Sequence, residues 1–247
     1  MTFFSYLRLL SASCVAANLA VTPVQAVENT EVSFHSGQRI SLVLPDETGA
    51  DGDARQAYLD GLVSLTADLG LRQSHSFAVE RVIIGDHQPQ AMAIYSWPDA
   101  EQSKQLRHNS TFQSNFESLA SQAWQELVTV DVDLEDALEI TFDTDKVYTL
   151  AVAWIGDEAL FESYVALSAP VREALGARPV MNLPVADFSS IQGLGGRSPD
   201  RVVIMEWNDS SHPDAYLTAP AVQNNQAIVQ QAFEKIEWYE LRHWEGY

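Results

Sequence analysis

The sequence repeats a set of landmark residues once, at a spacing of about 110 residues. The repeated positions are Tyr58, Gly70 and Trp97 in the first copy and Tyr164, Gly176 and Trp207 in the second. Each tyrosine and glycine pair bounds a stretch of helical periodicity, and each tryptophan ends an apolar run. A unit of this length is too long for a solenoid repeat. We therefore expect two copies of one small α+β domain, fused in tandem as a pseudo-dimer.

Both copies show the same order of predicted elements, β-α-β-β-α-β, which is that of a ferredoxin-like domain. In the first copy the segment 39–44 alternates like a strand, and helical spacing follows as far as Gly70. The segment 128–135 alternates apolar residues with hydroxyl or acidic residues, which predicts a strand with one dry face and one acidic face. The predicted organisation is an irregular N-terminal lead over 27–38, a first domain over 39–135, a connector over 136–145 and a second domain over 146–247.

The charge balance limits the classes of partner. The formal net charge is -20, and lysine occurs only at Lys104, Lys146 and Lys235. Neither nucleic acid nor an anionic membrane attracts so acidic a chain, so we expect neither as a partner. An acidic surface for solubility and an acidic binding face are both compatible with this composition.

The first 26 residues have the pattern of a signal peptide. Arg8 precedes an apolar stretch, and Val24-Gln25-Ala26 places small residues where a signal peptidase reads them. We expect cleavage after Ala26 and a periplasmic or secreted protein. Cys14 lies inside this segment, and its lipidation is the alternative to simple cleavage. It is the only cysteine, and no other apolar run has membrane-spanning length.

Several segments resemble the dimeric α/β-barrel superfamily, in particular a small bacterial branch of uncharacterised function. The residues that carry the resemblance are Asp157 to Tyr164, Pro170, Leu175-Gly176, Gly85 to Pro89, Val202 to Trp207 and Ala219 to Gln223. Trp207 stands where the family commonly has phenylalanine, and Val222 replaces an expected aromatic residue. The first copy departs further, with Ser64 where the second has Pro170.

The resemblance implies a fold in which two ferredoxin-like domains pack sheet to sheet as a barrel, here within one chain. The superfamily includes cofactor-free monooxygenases, haem peroxidases and small-molecule isomerases. Membership therefore does not by itself select a chemistry.

The sequence has no strong catalytic or metal-binding motif. It lacks a Gly-x-Ser-x-Gly elbow, a His-Glu-x-x-His pair and a Walker loop, and no histidines pair at metal-ligand spacing. We therefore assign no catalytic residue and no metal site. His87 falls in turn-like sequence and is expected to be solvated. Three of the scarce cations, Arg81, Arg197 and Arg201, are candidates for holding an acidic ligand.

Aromatic residues on the repeated elements are the candidates for a ligand pocket. Tyr58, His75 and Trp97 are expected to line a cavity in the first half, and Tyr164 and Trp207 to line its counterpart. Core packing is the alternative role for these residues. Strand alternation also places Ile94 and Trp97 on opposite faces, which opposes a shared cavity unless the strand end turns Trp97 inward.

Three functions fit these observations. The first is a module that binds a small apolar or aromatic molecule, with one pocket per half. The second is a cofactor-independent monooxygenase or related enzyme, and the third is a structural or interaction protein with filled pockets. No cofactor is predicted, although a haem with His75 as its ligand remains an alternative.

Overall fold

The computed structural model describes residues 29–191 and 196–243. The predicted signal peptide, 1–26, and its Cys14 lie outside these residues, so both stay predictions. Among the described residues, no helix is both long and apolar enough to cross a membrane.

Eleven strands and seven α-helices make up the described part of the chain. The strands are β1 (Thr30–Phe34), β2 (Arg39–Asp46), β3 (Arg72–Ile84), β4 (Ala91–Trp97), β5 (Glu126–Asp133), β6 (Leu138–Phe142), β7 (Val147–Ile155), β8 (Arg178–Pro184), β9 (Asp187–Ile191), β10 (Arg201–Trp207) and β11 (Phe233–His243). The helices are α1 (Gly52–Thr66), α2 (Ala100–His108), α3 (Glu117–Ala123), α4 (Glu158–Ala174), α5 (His212–Thr218), α6 (Pro220–Gln223) and α7 (Gln226–Ala232). A π-helical turn (Phe112–Phe116) leads into α3.

Each half has the strand order of a ferredoxin-like unit. The first half runs β3-β4-β2-β5 and the second runs β8-β10-β7-β11, with every neighbouring pair antiparallel. In both halves the order is therefore second, third, first and fourth strand. This confirms the predicted α+β class and its tandem ferredoxin-like arrangement.

The two four-stranded units join into one closed sheet. β3 pairs with β4 over its first part and with β11 over its second, and β5 pairs with β9. β8 and β9 follow each other in the chain, yet they stand at opposite ends of the nine-strand order. The sheet therefore closes on itself as a barrel. β8 and β9 together correspond to the long β3, because β8 pairs within the second half and β9 pairs with the first half.

The interior of the barrel is a single apolar core that both halves build. Alternate residues of β2, including Ile40 and Leu42, point inward and are fully buried. Leu150 of β7 and Ile204 of β10 reach the same core from the second half. The dry face predicted for 128–135 belongs to this interior, since Val130 is also part of it. A half on its own would expose its share of this surface.

Two segments expected to be irregular form a ribbon instead. β1 lies in the predicted N-terminal lead and β6 in the predicted connector, and they pair antiparallel from Thr30 opposite Phe142 to Phe34 opposite Leu138. Val32 and Ile140 pack against the same barrel core. The ribbon forms because each segment alternates apolar with polar residues, and this alternation is too short to stand out in the sequence.

Candidate ligand-binding site

A cavity of about 890 Å³ lies in the first half, between the outward face of the sheet and the helices that cover it. Strand side chains that point away from the barrel form its floor, and they include Val43, Ala93, Tyr95 and Thr129. Its helical and loop side includes Tyr58, Leu62, Leu106, Phe112 and Trp124. Strand β9 adds Ser189, Ser190 and Ile191, so both halves contribute to this site.

Tyr58 lines the cavity from α1, as its helical phase predicts. Only 6 % of the residue is exposed, and its ring makes edge contacts with Phe116 and Trp124 at centroid distances of 5.6 and 4.6 Å. The hydroxyl makes no hydrogen bond to a described residue. Burial, and then the neighbouring Tyr95, raises the pKa of Tyr58 to about 12, so the phenol stays neutral at physiological pH.

Two further polar groups that line the cavity are unpaired among the described residues, like the Tyr58 hydroxyl. Neither the Tyr95 hydroxyl nor the Trp124 indole N–H is hydrogen-bonded to a described residue, although both residues line the cavity. With Tyr58, three aromatic side chains of the cavity therefore have donors that a ligand could satisfy.

Trp97 also lines the cavity, and strand alternation explains how it does so. Ile94 points into the barrel core while Trp97 points outward, on opposite faces as the spacing predicts. The cavity lies on the helix side of the sheet, so no bulge is needed to bring Trp97 into it. The indole nitrogen donates to Ser41 Oγ at 2.9 Å, which fixes the ring at one end of the cavity.

That end of the cavity contains a buried charged network that sequence reasoning missed. The side chains of Arg39 and Asp131 are only 3 % and 2 % exposed. Asp131 accepts from Ser41 Oγ at 2.5 Å and from Arg107 at 2.9 Å, and Arg39 Nη1 lies 3.4 Å from it. Ser103 accepts from Arg39 at 3.0 Å and from Arg107 at 3.3 Å. The acidic face of β5 is thus the polar floor of the site.

The same network connects the two halves. Asp187, at the start of β9, lies 2.8 Å from Arg107 and 3.7 Å from Arg39. The Asp133 carboxylate accepts hydrogen bonds from Arg39 Nε at 2.6 Å and from Arg39 Nη2 at 2.9 Å. With two arginines and three aspartates, the network is complete in itself and has an excess of negative charge. It gives the cavity no free cation for an acidic ligand.

The arginines singled out from the sequence lie elsewhere. Arg81 pairs with Glu240 at 2.6 Å, and Arg197 pairs with Asp200 at 2.7 Å. Arg201 lies over the ring of Phe161 at 5.8 Å. The cations that line the cavity are instead Arg55 and Arg107, while Arg39 lies behind it in the buried network.

His75 does not line the cavity. Its ring stacks on Phe142 at 4.6 Å and meets the edge of Phe77 at 4.5 Å, near the barrel end that the ribbon closes. Burial, followed by His243, lowers the pKa of His75 to about 4. Among the described residues that line the cavity none is a histidine, so this site does not fit a histidine-ligated haem.

The second half fills the equivalent space with its own side chains. Trp207 donates to Thr149 Oγ1 at 2.9 Å, just as Trp97 donates to Ser41. The Tyr164 hydroxyl bonds that of Tyr216 at 2.5 Å, and Tyr216 and Trp238 pack around Trp207. Tyr164 and Trp207 therefore belong to an aromatic cluster, whereas Tyr58 and Trp97 line the first-half cavity.

Sequence position and strand register identify the two residues that make the difference. Tyr216 comes nine residues after Trp207 and corresponds to Leu106, which comes nine after Trp97. Trp238 pairs opposite Ala151, two residues after Thr149, as Thr129 pairs opposite Val43, two after Ser41. Leu106 and Thr129 leave the first-half cavity open, whereas the larger Tyr216 and Trp238 occupy its counterpart.

His87 is buried, contrary to the solvated position that its turn-like sequence suggests. It is 2 % exposed, its Nδ1 lies 3.3 Å from the Tyr239 hydroxyl, and its backbone N–H donates to Glu237 at 3.4 Å. Burial is the main reason that its pKa falls to about 4, against the opposing effects of Glu237 and Asp46.

Acid is therefore expected to destabilise the protein in part through His87. An unfolded histidine titrates near pH 6.5. Between that value and about 4 the unfolded chain binds more protons, so the free energy of unfolding falls as the pH drops through this window. Urea unfolding at about pH 7 and pH 5 measures the loss. A His87→Gln variant should lose less over this interval, and an equal loss in both proteins would show that His87 plays no part.

Comparison with known proteins gives a match at the level of structure. A scan against protein-family models and a search of curated proteins each give no match. An anthrone oxidase-like protein of known structure aligns over 85 % of this chain and 94 % of its own, with a TM-score of 0.53 and 11 % identity. A chlorite dismutase variant from Candidatus Nitrospira defluvii aligns over 84 % and 92 %, with a TM-score of 0.43 and 11 % identity.

The alignment with the anthrone oxidase-like protein spans both halves and agrees with the closed sheet described above. The chain has the fold of a dimeric α/β barrel. It forms within one polypeptide the barrel that the sequence resemblance implies. At this identity the likeness establishes the fold of the dimeric α/β barrel alone, so function has to be argued from the cavity.

Proposed function

We propose that the protein binds a small aromatic molecule in the first-half cavity. The observation that carries this proposal is the combination of an apolar, aromatic lining with free donors on Tyr58, Tyr95 and Trp124. Aromatic walls favour a flat, apolar ligand, and a few placed polar groups give such a site its orientation and specificity. The volume of about 890 Å³ is within the usual range for small-molecule sites.

The charged network supports a neutral ligand. Arg39 and Arg107 are already paired with Asp131, Asp133 and Asp187, and the whole chain is strongly acidic. An acidic ligand would have to displace one of these carboxylates. A neutral aromatic molecule can occupy the remaining space without disturbing the network.

Binding is better supported than oxygenation. The anthrone oxidase-like protein shares the fold, and cofactor-free oxygenation of an aromatic molecule starts with removal of a proton by a base. The described carboxylates that line the cavity are Glu47 and Asp131, and each is ion-paired with arginine. Neither is placed as a free base, so the geometry favours a binding module.

A Thr129→Trp variant tests the proposal. It introduces at the cavity floor the residue that fills the equivalent position of the second half, Trp238. Toluene and acetophenone should bind the wild type saturably, as monitored by isothermal titration calorimetry. The variant should lose at least about tenfold in affinity for both, because the indole takes up the ligand's space.

The matched control is Thr218→Trp, at an exposed position on α5. It should bind both probes like the wild type, and circular dichroism should show that all three proteins are folded. Failure of the wild type to bind any aromatic probe would refute the proposed function. Unchanged binding in Thr129→Trp would place the site elsewhere.

A further inference from the structure

We infer that Tyr216 is a built-in occupant of the second half's site, and that the first-half cavity recognises a phenol held in the same pose. This inference rests on the proposed function and adds the class of ligand. It follows from the pseudo-symmetry of the barrel, which places a phenol side chain in one of two related sites and leaves the other open.

The surroundings of the two sites correspond group by group. An indole N–H donates to a strand hydroxyl at 2.9 Å in each half, from Trp97 to Ser41 and from Trp207 to Thr149. Tyr58 meets the edge of Trp124 at 4.6 Å, and Tyr164 likewise meets the edge of Phe233 at 5.7 Å. A ring between these groups would therefore have equivalent neighbours in both halves.

In the second half that ring is the side chain of Tyr216. Its centroid lies 5.8 Å from that of Trp207 and 6.1 Å from that of Trp238, and it is almost completely buried. Its hydroxyl bonds the Tyr164 hydroxyl at 2.5 Å, which gives each phenol a partner. The second half thus shows which chemical group satisfies the tyrosine of α4.

The first half lacks this group. Leu106 stands at the position of Tyr216 and has no ring or hydroxyl, so the Tyr58 hydroxyl is left without a partner among the described residues. A phenol from outside would supply both the missing ring and the missing hydroxyl. It would pack beside Trp97 and exchange a hydrogen bond with Tyr58. The negative excess of the nearby network favours its neutral form over phenolate.

The probes follow from the side chains themselves. p-Cresol is the side chain of tyrosine with a hydrogen in place of Cα, and toluene is the same molecule without its hydroxyl. Dissociation constants of both are measured by calorimetry with the wild type, Tyr58→Phe and Tyr164→Phe. Tyr58→Phe should weaken the binding of p-cresol about three- to tenfold and leave the affinity for toluene unchanged, because only the phenol loses a hydrogen bond. Tyr164→Phe should change neither, since its hydroxyl already serves Tyr216.

Two exchanged variants test the correspondence independently. Leu106→Tyr should place a built-in phenol in the first half and abolish p-cresol binding. Tyr216→Leu should open the second half and raise the stoichiometry from one p-cresol per chain to two. Should Tyr216→Leu fail to fold, Leu106→Tyr still decides the matter, because it fills a cavity rather than creating one.

Phenol recognition would be overturned if Tyr58→Phe weakened the binding of p-cresol and of toluene equally, or weakened the binding of neither. It would also be overturned if Leu106→Tyr bound p-cresol as tightly as the wild type does. Toluene separates this failure from that of the proposed function. Binding of toluene without any effect of the Tyr58 hydroxyl refutes phenol recognition alone. Absence of binding by both probes refutes the aromatic site as well.

Discussion

Replacing Arg39 by methionine is expected to lower the free energy of unfolding by about 3–5 kcal/mol. The guanidinium is buried beside Asp131 and also contacts Asp133 and Asp187, so its removal leaves Arg107 as the one cation of the network against three aspartates. Methionine keeps much of the apolar stem and removes only the charge and its donors. Urea unfolding followed by circular dichroism measures the change.

Arg197→Met is the control for this substitution. Arg197 is also ion-paired, to Asp200 and Glu234, but all three side chains are well exposed to solvent. Its loss should have a much smaller effect on the free energy of unfolding, because solvent screens exposed ion pairs. Similar small effects of both substitutions would show that the buried network does not hold the two halves together.

Replacing Gly85 by alanine is expected to destabilise the protein by about 3–5 kcal/mol. Gly85 has a φ of 128°, a conformation that a side chain strains, and a Cβ there would overlap the carboxylate of Glu237. That carboxylate is fully buried, bonds Lys235 at 2.9 Å and accepts from the backbone N–H of Asp86 at 3.4 Å. The carboxylate would have to move away from these partners, at the point where β3 and β11 join the halves.

Gly37→Ala separates the effect of backbone strain from that of the overlap with Glu237. Gly37 also has a positive φ, of 84°, but no atom lies within 4 Å of the position of its Cβ. It should therefore show backbone strain alone, about 1–2 kcal/mol. Equal losses at Gly37 and Gly85 would show that contact with Glu237 contributes nothing. Thermal unfolding of the two variants beside the wild type gives the comparison.

The sequence was sufficient for the repeat and for the order of elements within each ferredoxin-like copy, but not for the ribbon of β1 and β6. Periodicity fixes which strand residues face inward, and the contrast between Ile94 and Trp97 follows from it. The landmark glycines Gly70 and Gly176 both end helical segments with positive φ, 75° and 67°, as their positions predict. These features depend on local patterns, which a single sequence contains in full.

The open cavity and its network could not be predicted in the same way. Whether space remains beside Tyr58 depends on the sizes of Leu106 and Thr129, which meet only after folding. Arg39 and Asp131 are far apart in the chain and become partners because β2 and β5 are neighbours. A closer comparison of the copies, with Leu106 against Tyr216, was the one signal that could have revealed the asymmetry.

The indole N–H signals of the tryptophans give the most direct test of the central claim, that the first half alone has an open aromatic site. Toluene is titrated into ¹⁵N-labelled protein, and the indole signals are assigned by single substitutions. Saturable shifts of the Trp97 and Trp124 signals are expected with one toluene per chain, while the Trp207 and Trp238 signals keep their positions. Shifts confined to Trp207 and Trp238, or no shift at all, would contradict that claim.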